Sequence, residues 1–155
     1  MDRKQNAIAG IIDGKKLKIA IVVSKFNPDI TGKMFVGAVE TLRKNGVLEK
    51  NIQTVWVPGA FEIPLACQRL AQTKKYDGLV ALGCVIKGDT DHYHYVSDGS
   101  IHGVMDVMLK TDLPIGLGII TTVNLKQAQE RSSGRHNKGA EAAQAVLEMI
   151  NNQVK

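Results

Sequence analysis

The chain has 155 residues, 44% hydrophobic and 23% charged, which is enough apolar material for one globular domain with a sizeable core. Its net charge of +5 is mild and spread along the chain, and aromatics make up only 5%, so little is available to stack bases and nucleic acid is excluded as a partner. The absence of a long apolar stretch predicts no signal peptide, no membrane span and a cytoplasmic protein, and Cys67 and Cys84 read as small core residues rather than halves of a disulfide.

A single domain is expected over 1–155, with 1–14 as an N-terminal arm. Within that arm Ile8–Ile12 is a short apolar piece, either an edge strand of this domain or an extra strand lying on a neighbouring subunit. Lys18–Val23 reads as the first buried strand, and Ser24–Pro28 as the loop after it. From Thr31 to Asn45, Met34, Phe35, Ala38, Val39 and Leu42 recur at helical spacing, and Gly46 ends the helix as a cap. Ile52–Val57 is the second strand. Pro58-Gly59-Ala60 turns the chain into a helix that reaches Gln72, with Pro64 in its first turn. Tyr76–Cys84 holds the third strand. A helix follows over Tyr95–Lys110, with Ile101, Val104, Met105 and Met108 on one face. Pro114–Thr122 is the fourth strand and Leu125–Arg131 a short helix. The last helix spans Asn137–Asn152, with Ala143, Val146, Leu147 and Ile150 inward.

This alternation predicts an α/β fold, a three-layer αβα sandwich around a four-stranded parallel sheet with right-handed crossovers. The loops Ser24–Pro28, Pro58–Phe61, Val85–His92 and Thr121–Asn124 then share one sheet edge, where such folds place ligands.

The richest stretch is Leu79–Val96. It begins as an apolar strand, passes the small Gly83 and Cys84, and enters Lys87-Gly88-Asp89-Thr90-Asp91-His92. Gly88 can take angles that a Cβ resists and turn amides toward an anion such as phosphate. Lys87 adds charge, Thr90 a hydroxyl, and His92 a proton-exchanging group. The plainer reading is a turn in which Asp89 or Thr90 caps the next helix.

Other loop residues carry the same pair of readings. Phe26 packs inward or stacks on a flat heterocycle, with Asn27 bonding a polar edge. Glu62 answers the helix dipole or accepts from ligand hydroxyls. Arg131 and Lys138 are surface charges or, together, a phosphate clamp. No metal is expected, because His92 and His94 share a face only on a strand, and a helix starts there. The common nucleotide-binding glycine loops are absent, and no Ser or Cys stands in a nucleophile setting.

Several motifs in order then point one way: Ser24-Lys25-Phe26-Asn27, Val57-Pro58-Gly59-Ala60-Phe61-Glu62-Ile63-Pro64, Ala81 to Thr90, His92-Tyr93 with Tyr95-Val96, Thr121-Thr122 with Asn124-Leu125, and Asn137-Lys138-Gly139-Ala140-Glu141. From the first strand to the last helix the chain resembles the lumazine synthase family, whose fold is flavodoxin-like. The resemblance implies condensation of 5-amino-6-(D-ribitylamino)uracil with 3,4-dihydroxy-2-butanone 4-phosphate to 6,7-dimethyl-8-ribityllumazine, with release of phosphate and water, and without metal or organic cofactor. It implies that Phe26 stacks on the pyrimidine ring and Asn27 shapes its pocket. Ala60, Phe61 and Glu62 meet the ribityl chain, and Val85 and Ile86 offer backbone groups. Gly88, Asp89 and Thr90, next to Lys87, cradle the phosphate, completed by Arg131. Lys138 lies nearby, and His92 transfers protons. The site falls between subunits of a homo-pentamer or a multiple of it, and riboflavin synthase is an implied partner. Leu117 stands where many members carry a phenylalanine that touches the ligand, Lys25 and Lys87 where arginine is common, and His94 where an acid is usual. On the same fold, an archaeal-type riboflavin synthase and a non-catalytic flavin-binding or shell protein are the alternatives.

Overall fold

The computed structural model describes residues 12–152. Strands β1 (Ile19–Ser24), β2 (Ile52–Val57), β3 (Gly78–Ile86) and β4 (Ile115–Thr122) form an all-parallel sheet in the order β2-β1-β3-β4. Helices α1 (Pro28–Lys44), α4 (Leu125–Arg131) and α5 (Lys138–Asn151) cover one face. Helices α2 (Ile63–Gln72) and α3 (His92–Thr111) cover the other. The expected α/β sandwich is present.

Central strands β1 and β3 are continuous apolar runs because both of their faces are covered. Ile19, Ile21 and Val23 point into the α1–α4–α5 layer, and Ala20 and Val22 into the α2–α3 layer. Met34, Leu42, Ile63, Leu79, Leu82 and Leu147 are fully buried, and each such side chain stabilises the fold by roughly 1.5–3 kcal/mol.

The end of α1 is as the sequence signals. Gly46 has φ 90°, its N–H donates to the Arg43 carbonyl at 3.0 Å, and the Val47 N–H donates to the Leu42 carbonyl at 3.0 Å. This is a Schellman stop, and the left-handed angle is what glycine supplies.

At the other end of the chain, Asn137 is the N-cap of α5. Its Oδ1 accepts from the N–H groups of Gly139 and Ala140 at 2.9 and 3.1 Å. Its Nδ2 donates to the carbonyls of Lys33 and Ser132 at 3.0 and 2.9 Å. One buried side chain therefore joins α5 to α1 and to the end of α4. Gly139 permits this closeness, since a Cβ there would collide with the Met34 carbonyl oxygen.

Some boundaries differ from the sequence reading. Helix α1 begins at Pro28, before the expected Thr31, because Asn27 takes a left-handed backbone and its carbonyl accepts from Ile30 and Thr31, both at 3.0 Å. β3 continues past Cys84 to Ile86, because β4 offers Thr121 and Thr122 as partners for Val85 and Ile86. α3 begins at His92 rather than Tyr95. Its buried residues are Ser97, Ser100, Val104 and Val107, while Met105 is exposed and Ile101 and Met108 are only partly buried. The close approach of α2 explains this. A Cβ at Gly103 would lie 2.6 Å from Pro64, so the seam has room for small side chains and not for methionines. The strand expected over Ile8–Ile12 lies outside the described residues except for Ile12, which packs on the α1–α5 core.

Removing Asn137 deletes a cap and takes a donor from the buried Ser132 carbonyl and the part-buried Lys33 carbonyl. Asn137→Ala should lower unfolding stability by about 2–4 kcal/mol in urea titration. Asn137→Ser, which keeps a cap but not the reach to both carbonyls, should fall between that variant and wild type. Wild-type stability in the alanine variant would show that the four bonds do not hold the layer together.

Candidate active site

The four strands end on the same edge, and their loops are stitched there by main-chain bonds. Lys25 N–H donates to the Val57 carbonyl at 2.8 Å, Phe26 N–H to Pro58 at 3.2 Å, and Lys87 N–H to Thr122 at 2.8 Å. The Asn27 side chain adds a strut, with Nδ2 donating to the Cys84 carbonyl at 3.0 Å. Loops after β1, β2 and β3 are thus fixed relative to one another.

Between them opens a cleft of about 570 Å³, a size suited to a small organic ligand. Phe26, Ala60, Phe61 and Glu62 line it from the β1 and β2 loops. Val85, Ile86, Gly88, Thr90 and His92 line it from the end of β3 to the start of α3. Most of this lining is apolar or aromatic, with Glu62, Thr90 and His92 as the polar exceptions.

Local sequence explains these placements. Ala60–Glu62 is a single 3₁₀ turn between Gly59 and α2, so Phe61 and Glu62 project from a short, fixed hinge. Phe61 rests on α3 at Gly99, where a Cβ would lie 3.2 Å from its ring. Thr90 Oγ1 accepts from the His92 N–H at 3.4 Å, but the N-cap of α3 is Asp91 and no side chain caps the helix, so neither Asp89 nor Thr90 has the capping role that the plainer sequence reading offered. His92 is the first residue of α3, so the positive end of a 20-residue helix meets the cleft. Anions are favoured there without any lysine in the lining.

Gly88 corrects one expectation. Its backbone is not in the left-handed region, which among the described glycines belongs to Gly46 and Gly134. A Cβ at Gly88 would meet no atom within 4 Å. Its contribution is bare main chain at the cleft wall, not unusual angles.

The thiols behave as buried apolar groups. Burial pushes Cys67 from 9.0 up to about 12 and Cys84 from 9.0 up to about 11. Cys84 sits under the cleft with its carbonyl held by Asn27, and neither thiol is a nucleophile at neutral pH.

The family model described as 6,7-dimethyl-8-ribityllumazine synthase matches residues 16–153. The chain belongs to that family. A 6,7-dimethyl-8-ribityllumazine synthase of Leuconostoc mesenteroides is 52% identical over 144 residues, 92% of this chain and 92% of its own.

The remaining sequence-predicted residues lie around the cleft or away from it. Asn27 supports the wall from behind through Cys84, and Lys87 and Asp89 flank the lining without joining it. Leu117 is half-exposed on edge strand β4. Arg131 donates from Nη1 to the Gln127 carbonyl at 3.2 Å, and Lys138 pairs with Glu141 at 2.8 Å. Both belong to the α1–α4–α5 layer, and neither lines the cleft. Tyr93, Tyr95 and Val96 line it as well, although sequence reasoning gave them no role. With α3 started at His92, Tyr95 and Val96 follow at i+3 and i+4 and share its face, which is the signal that was available.

Neither thiol of the folded protein should react quickly with iodoacetamide at pH 8, and both should react after denaturation. Above pH 9 the unfolded thiols ionise while the folded ones keep their protons, so the unfolded state binds fewer protons. Stability should therefore fall as pH rises from about 9 toward 11–12. Rapid labelling of the native protein at either cysteine would contradict the burial assigned here.

Proposed function

We infer that the chain condenses 5-amino-6-(D-ribitylamino)uracil with 3,4-dihydroxy-2-butanone 4-phosphate to 6,7-dimethyl-8-ribityllumazine, releasing phosphate and water, as a step of riboflavin biosynthesis in the cytoplasm. Among the described residues no helix is long and apolar enough to cross a membrane. The observation that carries the reading is that one cleft holds an aromatic wall, Phe26 and Phe61, and a helix N-terminus at Thr90 and His92. The first suits a flat heterocycle and the second a phosphate.

The roles follow from position. Phe26 stacks on the pyrimidinedione, and Asn27 holds the loop that carries it. Ala60, Phe61 and Glu62 take the ribityl chain, with the Glu62 carboxylate accepting from its hydroxyls. Val85 and Ile86 present main-chain groups to the ring edge. Gly88, Asp89 and Thr90, with Lys87 beside them, hold the phosphate with the first amides of α3. Imine formation, phosphate departure and ring closure each move a proton, and His92 stands next to the phosphate seat to move it. Holding the leaving phosphate's charge lowers the barrier to its departure. Keeping the two substrates side by side supplies much of the remainder.

A neighbouring subunit completes the site in this reading, within a pentamer or a multiple of it. Phe26, Phe61 and Tyr95 are 70%, 65% and 75% exposed in the single chain. Arg131, Lys138 and Leu117 lie outside its cleft, which supports their serving the cleft of another copy.

His92→Ala should stay folded, bind both substrates, and slow single-turnover lumazine formation by about 10²-fold or more. His94 points roughly 200° away around α3, so His94→Ala should cost much less. A larger loss in the His94 variant would move the proton-transfer role to that residue.

Arg131→Ala should weaken use of the butanone phosphate by about 10-fold or more and the uracil substrate little, since a charge-assisted hydrogen bond contributes roughly 1.5–3 kcal/mol. Reassembled mixtures of Arg131→Ala with His92→Ala chains should regain activity, because some sites then combine an intact His92 with an intact Arg131. Mixtures that regain nothing, or a fully active monomer, would refute the shared site.

A further inference from the structure

Two glycines interrupt the face of α3 that continues from His92. His92, Val96, Gly99 and Gly103 fall at i, i+4, i+7 and i+11 and share that face. Glycine inside a helix weakens it relative to alanine, so helix formation alone would not choose either one. Neither has a positive φ that would call for glycine. What the two have in common is a close neighbour from the turn after β2. A Cβ at Gly99 would lie 3.2 Å from Cε2 and 3.6 Å from Cδ2 of Phe61, and one at Gly103 would lie 2.6 Å from Cγ of Pro64. The segment from Phe61 to Pro64 thus rests in a shallow trough on α3.

The two contacts differ in what they control. Pro64 belongs to the first turn of α2, so Gly103 sets how closely α2 and α3 approach. Phe61 lines the cleft, so Gly99 sets where a cleft wall stands. That wall has little other support. Phe61 is carried by a single 3₁₀ turn and is mostly exposed, and among the described residues no other aromatic ring pairs with it. Its free surface opens to the cleft, so a side chain at position 99 displaces the ring in that direction. A separation of 3.2 Å is inside the roughly 3.5–4.0 Å at which carbon atoms rest, so even one methyl group moves the wall by a few tenths of an ångström. A longer side chain moves it further.

Position along α3 decides which substrate feels this. Gly99 is two turns beyond His92, roughly 10 Å of helix rise. The phosphate seat is at the first turn, and Gly99 stands toward the end where Ala60, Phe61 and Glu62 take the ribityl chain. We propose that Gly99 is a positioning residue that sets the width of the cleft at its ribityl end by seating Phe61 on bare helix backbone. It thereby keeps room for a uracil that carries a bulky polyhydroxylated chain. The proposal rests on the reaction assigned above.

Gly99→Ala and Gly99→Leu test it, since both residues favour a helix over glycine. The KM for 5-amino-6-(D-ribitylamino)uracil should rise by about 3- to 10-fold in the alanine variant and further in the leucine variant. The KM for 3,4-dihydroxy-2-butanone 4-phosphate should stay at the wild-type value, and the Tm of the alanine variant should equal or exceed that of wild type. A purely structural glycine would instead lower the Tm or affect both substrates alike. In a Phe61→Ala background, Gly99→Ala should have no further effect on KM, because the ring it displaces is gone. An alanine variant with wild-type KM for the uracil, an equal rise for both substrates, or an effect that persists without Phe61 would each overturn the proposal alone. Wild-type protein that neither binds nor converts the uracil would overturn the assigned reaction, and the proposal with it.

Discussion

One buried asparagine fixes the geometry on which the rest of this molecule depends. Asn137 caps α5 with one end of its amide and draws in the carbonyls of Lys33 and Ser132 with the other. Both ends of a polar group are satisfied out of reach of water, so the arrangement has no cheap alternative. A Cβ at Gly37 would come within 2.5 Å of that amide, so α1 cannot carry a larger residue there. With α1 and α5 locked, Ala142 and Val146 press on Gly116 and Gly78, and the β3–β4 edge is held from behind. The loops of the cleft stand on strand ends placed in this way.

The cleft divides its labour between rigid main chain and exposed side chains. Strand ends and the first turn of α3 offer amides and carbonyls whose positions the sheet dictates. Phe26, Phe61 and Tyr95 stand out from that frame with most of their surface in water. Aromatic surface of this extent on a small protein calls for cover by ligand or by another chain. The cationic groups that the family motifs suggest, Arg131 and Lys138, stand on the α1–α4–α5 layer and do not line this cleft.

Much of this was legible in the chain. The apolar runs of β1 and β3 name a covered parallel sheet, and Gly46 and Pro64 mark helix ends. Phe26, Glu62, Thr90 and His92 were found because they follow strands directly, where the fold permits few positions. The start of α1 was not legible, since Asn27 takes a left-handed angle that nothing in its neighbours announces. The inner face of α3 is partly legible: Val104 is buried and Ile101 and Met108 pack against the core, while Met105 is exposed and Ser97 and Ser100 are buried instead. Hydrophobicity favours its methionines, but the closeness of α2 selects Ser97 and Ser100 for size. Tertiary distance overrode composition there, and single-sequence patterns carry no term for it.

The strand order has a consequence for synthesis. β1 needs β2 on one side and β3 on the other, and β3 comes from beyond the whole α1–β2–α2 segment. Until β3 leaves the ribosome, the six residues Ile19–Ser24, apolar but for the last, form a sheet with one open edge. Such an edge pairs readily with any other extended apolar segment. Growing chains on one message carry identical copies of that segment at high local concentration. The stretch that later lies deepest in the protein is therefore the one most exposed to mispairing while it is being made.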